Sequence, residues 1–397
     1  MQASPFSIEN FVKRRAGHVV VEYQNKLFMW GGYMEEEHET TYNLMTQSNS
    51  QFHNPEEIWI YSPLLNIWIR RRCKGDIPLR LSGSCAGVID SYMYLFGGFN
   101  GEEPFEGSMD ILWRLNLETF VWELLVPSGF PPYACDKSAS WAFSNRFYVF
   151  GGYGRNISER GDAPVPVEFV TEFGVFSKGW LDQLVYYDTT NNIWVWPKSK
   201  GYKPSARAAH AAALLKNKVY VFGGRHKEHR LSDFYCLDLE THTWSLVHPC
   251  RSSPIPIGRS WHTLTPISEN KLLLYGGFST TCQVLNDAWI YCVKQKTWRQ
   301  FWPSNDTKRL WHCGARIGFC EVAIIGGIKN NLINYTQPKE HAEEMLRIRF
   351  SPPSLFELTI EYLSDTKKVP KESWFLLPQH VRQILEVRTD PFEIHGI

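Results

Sequence analysis

The chain has 397 residues, with 42 Lys+Arg against 41 Asp+Glu and a formal net charge of +1. That length suits one large domain with a small appendage, and the even charge leaves no electrostatic footprint for nucleic acid or a membrane surface. Aromatic residues make up 15% of the chain, 16 of them tryptophan, and the nine cysteines lie scattered with no Cys-x-x-Cys pair, which argues against both a disulfide framework and a structural zinc site.

Residues Met1 to Asn10 hold no apolar run of the kind a secretory signal needs, and nowhere do 18 apolar residues follow one another. An intracellular protein, nuclear or cytoplasmic, is expected. From Val19 onward one unit recurs. A short apolar strand (LFMW, MYLF, FYVF, VYVF, LLLY, VAII) leads into Gly31-Gly32, Gly97-Gly98, Gly151-Gly152, Gly223-Gly224, Gly276-Gly277 and Gly326-Gly327. A second strand follows, and five of the six units then close on a tryptophan: Trp68, Trp122, Trp194, Trp244 and Trp298. Successive Gly-Gly pairs are 66, 54, 72, 53 and 50 residues apart.

Each unit reads as a small antiparallel sheet, apolar on both faces. It can hide those faces only against copies of itself, and six copies close a ring. The predicted fold is all-β: a six-bladed β-propeller over residues 1–350, with a short α-helical tail over 351–397. The glycine pairs should end strands where a side chain would strike neighbouring backbone, and the tryptophans should pack between blades. The sixth unit lacks its tryptophan, so ring closure is expected to borrow a strand from the N-terminus, at Phe6 to Val12. Insertions at 34–57 and 155–178 are long enough to serve binding on a propeller rim or face.

A repeat supplies its own background, so departures from it are the functional candidates. Arg15/His18, Arg207/His210, Arg259/His262 and Arg309/His312 share an Arg-x-x-His spacing and are expected to be structural, as buried polar pairs that satisfy blade backbones. No close acidic partner accompanies these histidines, and no metal or other cofactor is expected. Between Arg and His stand small residues in the first and fourth units, but Ser260-Trp261 in the fifth and Leu310-Trp311 in the sixth. The residue after Gly-Gly is Tyr33, Phe99, Tyr153, Arg225, Phe278 and Ile328, so only the fourth is charged. Arg230 follows in the same loop, and Trp180 follows a glycine at the end of the second insertion. If these loops converge around the central channel, Arg225, Arg230, Ser260, Tyr153, Trp180, Trp261 and Trp311 form an apolar cup with a cationic floor. Such a cup suits a carboxylate on a flexible chain. The other reading gives the two arginines surface ion pairs with Glu228 or Asp233.

Beyond Pro352-Pro353 the pattern turns helical. Ser354 is a helix N-cap, and Leu355, Leu358, Tyr362 and Leu363 share a face. Trp374, Leu377, Val381, Ile384 and Leu385 follow at helical spacing, with Pro378 near the start. Helices so short and few are not expected to build a core of their own. They either pack on the propeller or offer an apolar face to another protein.

Over residues 13–350 the Gly-Gly/Trp units resemble kelch repeats. The stretches RAAHA, FGGR, RSWHTLTPI, LSGSC, Asp136-Lys137, GGYG, Gly179-Trp180 and RLWH resemble, more closely, the kelch receptors of elongin–cullin-2 ubiquitin ligases, which bind protein C-termini ending in glycine (C-degrons). The resemblance implies a non-catalytic receptor that directs substrates to ubiquitination and degradation. It implies Arg225, Arg230 and Ser260 on the terminal carboxylate, and Tyr153, Trp180, Trp261, Trp311 and Lys137 around the last residues; Lys137 enters on the resemblance alone. It further implies elongin C (with elongin B) at Leu355, Leu358, Thr359 and Leu363 in a box over 354–363, with Thr359 where the common pattern has cysteine. Cullin-2 would meet Leu377, Pro378, Val381 and Leu385 in a box over 377–385. The rival expectation is a kelch scaffold or adaptor that grips a folded partner with its loops. The end of the chain, His395-Gly396-Ile397, has a penultimate glycine but a bulky last residue, and self-association through it is the weaker alternative.

Overall fold

The computed structural model describes the backbone of Phe6–Glu9 and residues 12–35, 50–102, 106–155, 163–171, 178–301, 307–318, 321–334 and 337–389. Six antiparallel sheets follow the six sequence units. Blade 1 contains Val19–Tyr23, Lys26–Trp30, Glu57–Ser62 and Ile67–Arg72, each strand paired to the next. Blades 2 to 5 repeat this four-stranded meander, beginning at Cys85–Ile89, Ala139–Phe143, Ala211–Leu215 and Thr263–Ser268. Among the described residues blade 6 has three strands: Cys313–Ile317, Glu321–Ile325 and Leu346–Arg349. The first strand of each blade touches the first strand of the next, and that of blade 6 touches that of blade 1. These six strands therefore surround the axis, and the ring is closed.

The tryptophans do pack between blades. Before the first four glycine pairs, the last residue meets the closing tryptophan of the following blade: Trp30 with Trp122 at 5.5 Å, Phe96 with Trp194 at 5.5 Å, Phe150 with Trp244 at 5.0 Å and Phe222 with Trp298 at 5.5 Å. Ring closure differs from the expectation. Phe6–Glu9 pairs with Ile67–Arg72 and so covers the outer edge of blade 1; it does not complete blade 6. Blade 6 closes on blade 1 by face packing, with Ala315, Ile317, Ala323 and Ile325 against Leu27, Met29, Trp59, Tyr61 and Trp68. The N-terminal strand instead blunts an edge that would otherwise present unpaired backbone groups.

The Arg-x-x-His elements are structural, though the two residues work differently. Each arginine holds its own blade's glycine turn: Nη1 donates to the Gly31 carbonyl from Arg15 (3.2 Å), to Gly223 from Arg207 (2.9 Å), to Gly276 from Arg259 (3.0 Å) and to Gly326 from Arg309 (2.9 Å). Each histidine instead fills space against the preceding blade. A Cβ on Gly151 would stand 2.6 Å from His210 Cε1, and one on Gly326 would stand 2.6 Å from His18 Cε1, so glycine is required there. The rings of His210, His262 and His312 stand edge-on to Phe150, Phe222 and Tyr275. Burial, reinforced by the neighbouring arginine, pushes His210 and His312 down to about 3 and holds His18 and His262 well below the usual imidazole range. The ring nitrogens of His18 have no hydrogen-bond partner among the described residues. The expected polar pairing with backbone thus holds for the arginines; the His18 ring packs without a partner, while His312 Nε2 stands 3.2 Å from Thr263 Oγ1.

The tail folds into helix α1, Leu355–Ser364, a short 3₁₀ turn, Lys371–Leu376, and helix α2, Gln379–Thr389. Ser354 caps α1 reciprocally: its Oγ accepts the Glu357 N–H at 3.2 Å, and its own N–H donates to Glu357 Oε2 at 2.8 Å. Contrary to expectation, the tail does have a small core, made by Ile360, Trp374, Val381 and Leu385. Trp374, carried on the 3₁₀ turn, supplies the bulk that two short helices lack. Glu361 pairs with Arg349 of blade 6 at 2.9 Å, and Arg388 Nε donates to the Leu64 carbonyl of blade 1 at 2.8 Å. The tail therefore straddles the closing seam. Among the described residues no helix is long and apolar enough to cross a membrane.

Candidate functional site

Two tiers of residues ring one end of the channel, and both follow from the repeat. In the outer tier, the residue after each glycine pair bridges the residue after the Arg position. The pairs are Ala16 with Tyr33, Ser82 with Phe99, Asp136 with Tyr153, Ala208 with Arg225, Ser260 with Phe278, and Leu310 with Ile328. The inner tier is the next residue in each blade: Gly17, Gly83, Lys137, Ala209, Trp261 and Trp311. All six have left-handed backbone, with φ of 67°, 68°, 57°, 53°, 55° and 54°. Their peptide groups form a closed ring of six hydrogen bonds. Gly83 donates to Gly17 (2.7 Å), Lys137 to Gly83 (2.7 Å), Ala209 to Lys137 (2.8 Å), Trp261 to Ala209 (2.8 Å), Trp311 to Trp261 (2.9 Å) and Gly17 to Trp311 (3.4 Å).

A left-handed backbone is unfavourable for a bulky residue by on the order of 1–3 kcal/mol, and such strain concentrates at binding sites. The ring also consumes every inner-tier N–H and carbonyl. Side chains alone are left to face the mouth, and these are unequal: nothing at Gly17 and Gly83, a methyl at Ala209, a cation at Lys137 and indoles at Trp261 and Trp311. A Cβ at Gly17 would stand 3.0 Å from Trp311 Cζ2, so glycine makes room for that indole. Trp311 in turn contacts Trp261 at 5.8 Å and Tyr33 at 5.4 Å.

Arg225 and Arg230 lie directly opposite one another on the paired two-residue strands Arg225–His226 and His229–Arg230. Like charges in that register repel. Each guanidinium is backed by a ring: Arg225 by Trp180 at 5.4 Å, Arg230 by Phe278 at 5.2 Å. Arg225 Nε donates to the Lys227 carbonyl at 2.7 Å, Arg230 Nη1 to the Glu228 carbonyl at 3.2 Å, and the Arg230 N–H to Thr280 Oγ1 at 3.1 Å. Asp233 is held bidentately by Arg207, at 2.7 and 2.8 Å. Trp180 is buried beside Tyr153, at 5.2 Å, and against Ala206 and Ala208. Ser260 is fully buried in register with Phe278. Its Oγ has no hydrogen-bond partner among the described residues, and nor has Trp261 Nε1. Lys137 pairs with Asp136 and lies 5.3 Å from the Trp311 ring centroid.

All eight pocket residues selected from the sequence thus fall into one connected set. Phe278 and Thr280 join them. Phe278 was legible as the residue after Gly-Gly in its blade; Thr280, on an adjoining loop, carried no sequence signal. The set can grip an anion between paired guanidinium forks and shield it with aromatic walls. No group of three or more His, Cys, Asp or Glu among the described residues could hold a metal.

On the tail, Leu355, Leu358 and Thr359 are exposed on α1 beside Tyr362, while Leu363 turns partly toward the tail core. Pro378 is exposed and Leu377 half-buried. Val381 and Leu385 are buried against α1, so these two serve the tail's own packing and are not surface contacts. The ends of both insertions form strands, Tyr33–Glu35 with Ser50–Phe52 and Phe169–Thr171 with Lys178–Leu181. Residues 36–49 of the first insertion, 156–162 and 172–177 of the second, and the His395-Gly396-Ile397 terminus lie outside the described residues.

The chain matches the KLHDC2/KLHL20/DRC7 Kelch-repeats domain over residues 17–163 and 173–327. It is 36% identical over 371 residues to kelch domain-containing protein 2 of Homo sapiens, covering 92% of this chain and 88% of that protein. It is 33% identical over 379 residues to kelch domain-containing protein 1 of Homo sapiens, covering 94% and 89%. To kelch domain-containing protein 3 of Mus musculus it is 25% identical over 302 residues, covering 73% and 71%.

Proposed function

This chain belongs to the kelch-repeat family of the KLHDC2/KLHL20/DRC7 type, and from that membership we propose that it is a non-catalytic receptor which captures the free C-terminus of a substrate protein in its propeller mouth and presents it to a ubiquitin ligase through its tail. The observation that carries the reading is the pairing of Arg225 with Arg230 in direct register, each backed by an aromatic ring, beside the buried and unpartnered Ser260 hydroxyl. A guanidinium offers a planar fork to a carboxylate, and a dry aromatic surround strengthens the charge-assisted bonds. A terminal residue with a side chain would push the carboxylate away from both forks, so a terminal glycine fits best. The walls then belong to Tyr153, Trp180, Trp261, Trp311 and Lys137.

On the tail, Leu355, Leu358 and Thr359, with Leu363 at the edge, form the face for elongin C, which brings elongin B. Leu377 and Pro378 form the part of the second box open to cullin-2. Ubiquitin transfer is then the chemistry of other subunits. A labelled peptide ending in Gly-Gly should bind in fluorescence polarisation and lose binding when its C-terminus is amidated. Equal binding of both forms would move the mouth to the adaptor reading. Leu358 is 43% exposed, so Leu358→Glu should abolish co-purification of elongin C–elongin B while leaving the thermal midpoint unchanged. Retained co-purification would remove α1 from the interface.

A further inference from the structure

Lys137 is unusual in pairing with its own sequence neighbour. Its backbone is locked into the inner ring at both ends, donating to the Gly83 carbonyl at 2.7 Å and accepting from Ala209 at 2.8 Å, with φ +57°. That left-handed turn brings the Lys137 ammonium onto Asp136 Oδ1. The other carboxylate oxygen, Oδ2, accepts the Ser108 hydroxyl of blade 2 at 2.9 Å. Asp136 is 3% exposed at its side chain, whereas Lys137 is 23% exposed. The carboxylate is therefore a fixed, buried anchor between blades 2 and 3, and the ammonium is its accessible end. From there Nζ lies 5.3 Å from the Trp311 ring centroid, on blade 6. In a six-bladed ring, blade 6 stands opposite blade 3, so the lysine reaches across the mouth.

We propose that Asp136, fixed by Ser108, is a positioning residue that holds the Lys137 ammonium across the propeller mouth, where it donates to main-chain carbonyls of the bound peptide and sets the peptide's register. This rests on the C-terminus reading above. An ammonium carries three N–H donors, and Asp136 occupies one. The others are left for solvent or for a bound peptide, since the ammonium stays partly exposed beside Trp311. An unpaired lysine there would be a third cation competing for the terminal carboxylate. Paired with Asp136 it is neutral overall, so the carboxylate goes to Arg225 and Arg230, and Lys137 takes uncharged carbonyl oxygens. Asp136 thus separates two kinds of acceptor that would otherwise share one cationic surface.

The test uses the full chain with ε-¹³C-labelled lysine, and Lys137→Met to assign the signal. The wild type should show a Lys137 ε-methylene resonance displaced by the Trp311 ring current. Asp136→Asn should return it toward the ordinary lysine position, and Asp136→Glu should partly restore it. An unmoved signal in Asp136→Asn overturns the inference whether or not any peptide binds. In polarisation with the Gly-Gly peptide, Asp136→Asn should weaken binding about tenfold, with no further loss when added to Lys137→Met. An equal loss in both backgrounds would make Asp136 merely structural and overturn its positioning role. A wild type that binds no peptide would sink the C-terminus reading and the carbonyl role together, while the resonance still decides whether Asp136 aims the lysine.

Discussion

Arg225→Ala is expected to weaken binding of a Gly-Gly-ending peptide by about 2–5 kcal/mol, roughly 30- to 5,000-fold, as loss of a desolvated charge partner does. The size follows from the surroundings. The guanidinium lies over Trp180 and faces Arg230 in register, so removing it leaves a carboxylate with half its counter-charge in a mouth walled by aromatic rings. Water cannot make up the loss as it would on an open surface. Arg225→Lys should recover little, because a single ammonium offers neither the planar fork nor the same stacking on an indole. The amidated peptide is the control. Wild type and variant should bind it equally weakly, since the contact with Arg225 needs the anion. Undiminished binding of the free acid by Arg225→Ala would sink the carboxylate assignment.

The second large effect is on stability in mild acid. His18, His210, His262 and His312 are buried and neutral, and burial holds each below the usual imidazole range, to about 3 for His210 and His312. The buried Arg15, Arg207, Arg259 and Arg309 beside them add repulsion against a second positive charge. In the unfolded chain each titrates near 6.5. As pH falls below that value the unfolded state takes up protons that the folded state refuses, so stability declines with acid. The histidine contribution is fully present above the unfolded pKa and drains away between it and the folded pKa. Each histidine can remove up to about 1.4 kcal/mol per pH unit, and the four together roughly 5 kcal/mol per unit. Set against a typical domain stability of about 5–15 kcal/mol, unfolding near pH 5 is expected. Urea midpoints should be flat above pH 7 and drop steeply below 6.5. His262→Gln should lower stability at pH 7.5 yet flatten the acid slope, by about a sixth once His53 and His341, held down to about 3 and about 4 by burial, are counted with the four. Midpoints constant from pH 7 to 5 would show that these rings protonate without resistance.

Much of this protein was written locally along the chain. Six glycine pairs and five tryptophans repeat at near-regular spacing, so the blade count, the all-β class and the aromatic seams followed from counting. The repeat also exposed its exceptions: an arginine where five other blades carry an uncharged residue, and indoles where the first and fourth units carry glycine and alanine. These marked Arg225, Trp261 and Trp311 as candidates from the sequence itself.

What stayed hidden depends on contacts between residues distant in sequence. That the inner-tier positions join in a closed ring of peptide hydrogen bonds cannot be read from any one blade, because each donor finds its acceptor in a neighbour. The anchoring of Lys137 by Asp136 turns on a left-handed turn and on Ser108 of another blade. The N-terminal strand had two open edges to choose from, blade 1 or blade 6, and strand pattern is the same for either. Face packing of blade 6 on blade 1 already closed the ring, so the strand covered blade 1. In the tail, Val381 and Leu385 had an apolar periodicity that marks a buried face but does not say what buries it. Trp374 and Ile360 reached that face first. Sequence period settles what kind of element forms and how many times; only the three-dimensional competition for each apolar face and each backbone donor decides which partner it meets.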